Sequence, residues 1–118
     1  MMTGTLINVT QKKVLARKVR YCDRFLSRLK GLLGTQKLDL DEACWLIPCN
    51  MVHTFGMHYA IDVVFLNKKN DVVSVVQNLK PNCFSPFVPT AHSVVEFSSG
   101  TQQKTQPGEQ LAWEDSSQ

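Results

Sequence analysis

Apolar positions in this chain fall into short runs separated by polar turns, the spacing of β-strands rather than of long helices. Leu6 to Val9 and Val14 to Tyr21 predict two strands joined by the polar turn Gln11-Lys12-Lys13, a hairpin. Ala43-Cys44-Trp45-Leu46-Ile47-Pro48 predicts a third strand, stopped by its proline. Ile61 to Leu66 is apolar on both faces except at Asp62, and Val72, Val73, Val75 and Val76 form a similar run beyond a short polar loop. These two predict a second hairpin. Ser93 to Ser98 predicts a strand closed by Gly100, and Glu109 to Trp113 predicts a last short one after the Pro107-Gly108 turn.

One stretch has the helical period instead. Phe25, Leu26, Leu29, Leu32 and Leu33 share one face of a helix near residues 23–33, with Asp23 as N-cap and Gly34 as the stop. The segment from Lys80 to Pro89 carries three prolines and predicts an irregular loop. Strands that are apolar on both faces must be covered twice. The pattern therefore predicts a mainly β (α+β) fold: a small closed or nearly closed barrel-like sheet with one short amphipathic helix. A single domain spans residues 1–113, and residues 114–118 are expected to fray.

The length of 118 residues suits one core, and a composition of 43% hydrophobic and 19% charged residues is that of an ordinary globular domain. No apolar run approaches the roughly 18 to 20 residues of a membrane helix. The N-terminus lacks the basic and apolar regions of a signal peptide, which points to a cytoplasmic protein with free thiols at Cys22, Cys44, Cys49 and Cys83. Charge changes the picture more than composition does. Through Lys37 the chain carries nine Lys and Arg against Asp23 alone, whereas the remainder is acidic. A basic face suits phosphate or nucleic acid, but the stretch has almost no aromatic residues for base stacking. The reading adopted is a solvated face partly neutralised by the acidic half.

Several motifs occur in order: Gly31-Leu32-Leu33-Gly34, Ile47-Pro48-Cys49, His53-Thr54-Phe55-Gly56-Met57, Ile61 to Leu66, Lys80-Pro81, and Val95-Glu96-Phe97 ahead of Gly100. Together they resemble the domain of unknown function 192 family, in the branch with a His-Thr-Phe-Gly-Met central motif. The resemblance covers nearly the whole chain and implies a small β-rich, barrel-like domain with a short helix. It brings no catalytic residues with it.

Chemistry must then come from individual residues. Cys44, Cys49, His53, Met57 and His58 are soft or borderline ligands close in sequence, but only Cys49 and His53 have the spacing of a zinc knuckle and no second pair follows. No metal or cofactor is assigned. Cys49, His53 and Asp62 supply the residue types of a nucleophile, base and orienting carboxylate. No oxyanion hole beyond the turn at Gly56 accompanies them, so no catalytic residue is assigned either. If Val52 and Thr54 point inward, Cys49, Met51, His53 and Phe55 share the other face of an extended segment and His53 sits at a rim.

Asp62 lies within an apolar run, where a carboxylate is costly to bury unless paired. Its expected role is structural, accepting hydrogen bonds from Thr54 or from the amides of the Phe55-Gly56-Met57 turn. Glu96, among Val94, Val95 and Phe97, poses the same question, with a basic residue of the N-terminal half as expected partner. The predicted function is a non-catalytic binding or accessory module. Its groove lies between the His53–Met57 turn and the Pro81–Pro89 loop, lined by His53, Thr54, Met57, Asp62, Pro81, Phe84, Phe87 and His92. The ligand would be a small molecule or a protein. The alternatives are a Cys/His hydrolase or metal enzyme centred on Cys49, His53 and Asp62, and a nucleic-acid binder using the basic half.

Overall fold

The computed structural model describes residues 3–22, 39–101 and 104–115, without the side chains of Thr3, Arg20, Cys22 and Asp115. The helix expected near residues 23–33 lies outside the described residues. Seven strands follow in chain order: β1 (Thr3–Asn8), β2 (Lys13–Cys22), β3 (Glu42–Leu46), β4 (Ile61–Leu66), β5 (Val72–Leu79), β6 (Ser93–Ser98) and β7 (Leu111–Asp115). They form one mixed sheet in the order β5-β4-β6-β3-β2-β1-β7. β2 and β3 run parallel, and the other neighbouring pairs are antiparallel.

Local chemistry explains the two predicted hairpins. Between β1 and β2 the Asn8 side chain accepts the Gln11 amide at 3.0 Å, and Lys12 takes the left-handed conformation, φ 59°. Between β4 and β5 the Asn67 side chain accepts the amides of Lys69 and Asp71 at 2.9 and 3.0 Å, and Asn70 is left-handed at φ 66°. In both loops an Asn side chain bonds its own turn, and in the second an Asn also occupies the left-handed position, which it tolerates better than most residues. The last strand runs through Asp115, in register with Gly4, so chain pairing continues past the boundary expected at residue 113.

Every residue of β4 and β6 is buried. Val64, Leu66, Val95 and Phe97 face the inside of the curled sheet, where they pack with Leu6, Trp45 and Leu111. Ile61, Val63, Phe65 and Val94 face the other way and pack with Leu46, Cys49, Val52 and Met57. The second layer is therefore the irregular chain on either side of β4 and β5, residues 47–60 and 80–92. That arrangement gives each two-sided apolar strand its two covers. Phe65 and Phe97 are both fully buried, and truncating either to Ala would cost about 3–5 kcal/mol.

Gly4 is required by a close approach. A Cβ there would stand 2.7 Å from Cε2 of Trp113 and 2.5 Å from the carbonyl oxygen of Glu114. Its absence lets the Trp113 ring lie over β1 and stack on Tyr21 with centroids 4.5 Å apart.

The sheet does not close into the expected barrel. β5 and β7 meet only at an isolated bridge, Asp71 to Gln110, supported by Val72 N–H to Glu109 and Gly108 N–H to Val72 at 2.7 and 2.8 Å. Closure needs a ladder along the full length of both edge strands. Here β7 leaves β5 as soon as it begins and follows β1 instead. A second correction concerns the thiols: Cys49 and Cys83 form no disulfide, but Cys44 is disulfide-bonded.

Candidate functional site

Residues 49–54 and 82–92, both read from sequence as outside the strands, hydrogen-bond to each other as an irregular antiparallel ribbon. The Cys49 amide donates to His92 at 2.9 Å, that of Val88 to Asn50 at 3.0 Å, that of Ser85 to Val52 at 2.8 Å and that of Thr54 to Cys83 at 2.9 Å. The expected groove between the turn and the proline-rich loop is thus occupied by backbone hydrogen bonds, because two segments with unpaired amides satisfy each other when brought together.

Thr54 is the fastening. Its side chain is fully buried, and its hydroxyl donates to the Lys80 carbonyl at 2.6 Å while accepting the Cys83 amide at 2.9 Å. The turn that follows uses Gly56 at φ 83°, whose amide reaches the Asn82 side chain at 3.2 Å. Asn82 is itself left-handed, φ 62°.

Burial alternates along the ribbon. Val52 and Thr54 are buried, while Met51 and Phe55 are exposed and His53 is half-buried. His53 pairs across the ribbon with Phe84. The His53 and Phe55 rings stack at 5.1 Å, and Phe84 stands edge-on to Phe55 at 4.8 Å. Phe84 and Phe87 are 59% and 61% exposed. The outward face is therefore an aromatic cluster carried on a backbone whose amides are tied down beneath it.

The other candidates separate from this face. Met57 is 2% exposed and belongs to the outer core. Pro81 is half-buried at the turn beside Asn82. His92 lines two recesses, one of about 110 Å³ with Pro48 and Cys49, the other of about 440 Å³ with Lys68 and Lys69. Phe55, not among the groove residues expected from sequence, joins this face because two-residue alternation sets it beside His53.

Asp62 has other partners than those expected. Its carboxylate accepts the amide of Asn78 and the amide of Gly100, each at 2.8 Å. It points across the sheet to the ends of β5 and β6, because alternation along β4 turns it away from Ile61, Val63 and the loops that cover them. The Cys49 thiol donates to the Met51 carbonyl at 3.3 Å, and Nδ1 of His53 accepts the Phe55 amide at 3.3 Å. Asp62 engages both carboxylate oxygens with Asn78 and Gly100, at the far ends of β5 and β6. Among the described residues no three His, Cys, Asp or Glu side chains are grouped to hold a metal ion. Glu96 is fully buried on β6, in register with Cys44 and Val63. Part of the basic half expected to supply its partner, residues 23–38, lies outside the described residues.

A polar cluster at the start of β7 is a site the sequence reading missed. The buried Asn8 amide donates to Thr105 and to Glu109, and the Gln11 amide reaches both Glu109 oxygens at 2.9 and 3.0 Å. Hydrogen bonds from Gln11, the Gln106 amide and Asn8, with Lys13 nearby, hold the Glu109 carboxyl below its usual range against a smaller opposing effect of burial.

The fold is that of a mixed, curled β-sheet domain found in solved bacterial proteins. A protein of unknown function from Novosphingobium aromaticivorans superposes with a TM-score of 0.75 at 18% identity, covering 94% of this chain and 84% of that one. A putative transcription regulator from Sinorhizobium meliloti gives 0.73 at 17% identity, covering 95% and 92%. At that identity the likeness is one of fold alone. Residues 6–113 match the model of the DUF192 family, described as "Uncharacterized ACR, COG1430", and the chain belongs to that family. It is also 32% identical to the UPF0127 protein PF1050 of Pyrococcus furiosus, over 92% of this chain and 97% of that protein. A UPF0127 protein of Thermococcus sibiricus is 29% identical over 92% of this chain and 74% of its own length. Among the described residues no helix is long and apolar enough to cross a membrane.

Proposed function

We propose that this DUF192 domain is a non-catalytic binding or accessory module whose ligand contacts lie on the outward face of the 49–55 and 82–88 ribbon. His53, Phe84 and Phe87 are the contacts, joined by Met51 and Phe55, while Thr54, Met57 and Asp62 hold the fold beneath and beside them. The observation that carries the reading is the ring cluster of half-buried His53 with exposed Phe55 and Phe84 on a backbone already fixed by hydrogen bonds. Exposed aromatic side chains that are held in place lose little entropy on binding, which is how recognition surfaces gain affinity. Chemical-shift mapping with small organic probes such as phenol and isopropanol tests it. Perturbations should concentrate at His53, Phe55 and Phe84; probes gathering on another face would sink the reading.

A further inference from the structure

Neither segment of the second layer contains an acidic residue: Ile47 to Ala60 and Lys80 to His92 hold no Asp or Glu, although the chain has ten. Cations stand at both ends of the ribbon. Lys80 is exposed beside the Thr54 fastening. Lys68 and Lys69, exposed on the turn between β4 and β5, share a recess with Pro89 and His92, with Asp71 also on its wall. Between them protrude Phe84 and Phe87 at 59% and 61% exposure, with Phe55 and Met51 at 41% and 40%. Side chains this exposed are projections rather than the walls of a cleft.

Three rings of roughly 150–250 Å² each, about half exposed, present an apolar area on the order of 300 Å². That is the size of a functional surface patch. It is well under the roughly 800 Å² per partner of a stable protein interface. A second copy seated here would also bring Lys68, Lys69 and Lys80 against a face whose two ribbon segments hold no carboxylate, with Asp71 alone on the recess wall to offset them. A soft, anionic surface accepts apolar projections without a matching hollow and places negative charge against the flanking cations.

Resting on the binding face proposed above, we infer that the partner is an anionic phospholipid membrane surface. Phe84 and Phe87 enter the boundary between headgroups and acyl chains, and Lys68, Lys69 and Lys80 lie at the level of the phosphates. The apolar insertion and the charge attraction act together, so either alone gives weak binding.

Co-sedimentation of the full chain with vesicles tests this, comparing phosphatidylcholine alone with phosphatidylcholine containing about one-quarter phosphatidylglycerol. The protein should sediment with the anionic vesicles far more than with the neutral ones, and less as salt rises from about 0.1 M to 1 M. The double variant Phe84→Ala/Phe87→Ala should partition at least about tenfold more weakly at an unchanged melting midpoint, since both side chains are mostly in water. Lys68→Glu/Lys69→Glu should weaken only the anionic preference. Leu40→Ala, which removes a 74% exposed side chain on another loop, should bind as the parent does. The inference is overturned by failure to sediment with either vesicle, or by a double variant that binds like the parent. Self-association without vesicles, abolished by the double variant, would overturn it in favour of a second copy. If probes still gather at the face while vesicles do not bind, the membrane is wrong and the binding face stands.

Discussion

The carboxylate of Asp62, on β4, accepts the backbone amide of Gly100, beyond the end of β6, at 2.8 Å. Its other oxygen takes the amide of Asn78 at the same distance, so one buried side chain gathers the ends of three adjacent strands. Asn78 is left-handed at φ 55° and Gly100 at φ 88°, so both amides belong to places where the chain leaves regular strand geometry. Amides at such irregular positions lose their ladder partners, and a carboxylate replaces them with charge-assisted bonds.

Asp62→Ala should lower stability by about 1–3 kcal/mol, because two amides lose their acceptor at once. Asp62→Asn should fall between, since its carbonyl can accept one amide and its NH2 can accept none. Thermal melting decides, and a midpoint unchanged in the Ala variant would refute the role.

Thr54→Val keeps the shape of a fully buried side chain and removes the hydroxyl that bridges Lys80 and Cys83. A loss of about 1–3 kcal/mol is expected. Hydrogen exchange at the Cys83 amide should accelerate more than at strand amides of β4. Equal acceleration everywhere would show that the hydroxyl stabilises the fold generally and does not fasten the ribbon.

Glu109 gives the pH dependence. Its folded carboxyl titrates below the unfolded value of 4.5, so its contribution to stability is complete above that value. It disappears as pH falls through the lower, folded one. The melting midpoint should therefore fall with acid below about pH 4.5. In Glu109→Gln that fall should be shallower. Identical acid limbs in the two proteins would contradict the assignment.

Cys44 is disulfide-bonded, whereas Cys49 and Cys83 form no disulfide. Alkylation of the denatured protein without reductant should label Cys49 and Cys83 and spare Cys44. Labelling of Cys44 before reduction, located by peptide mass spectrometry, would remove the bond from the account. Reduction should lower the melting midpoint, since a cross-link restricts the unfolded chain.

The strands were legible because side-chain alternation is a local property: Ile61 to Leu66 and the valines after Asn70 admit few readings besides a buried hairpin. The two-sided covering of β4 followed from the same pattern, whereas β5, read in the same way, is only partly buried and β6 is the second fully buried strand. Closure was not legible, because whether β7 runs along β5 or turns to β1 depends on residues far apart in sequence. The partners of Asp62 were missed for a related reason. Sequence distance favoured the nearby Phe55-Gly56-Met57 turn, but side-chain direction on β4 put the carboxylate toward Asn78 and Gly100.

The sequence by itself determined seven strand segments, two hairpins with polar turns, a buried carboxylate that had to be satisfied, and a family. Periodicity and burial cost act within a few residues, so they can be read along the chain. Only the tertiary structure decided the strand order, the open edge between β5 and β7, and the pairing of residues 49–54 with 82–92 that turns two irregular loops into one aromatic face. Those depend on which distant backbone amides find each other, and that is fixed by the packing of the whole sheet.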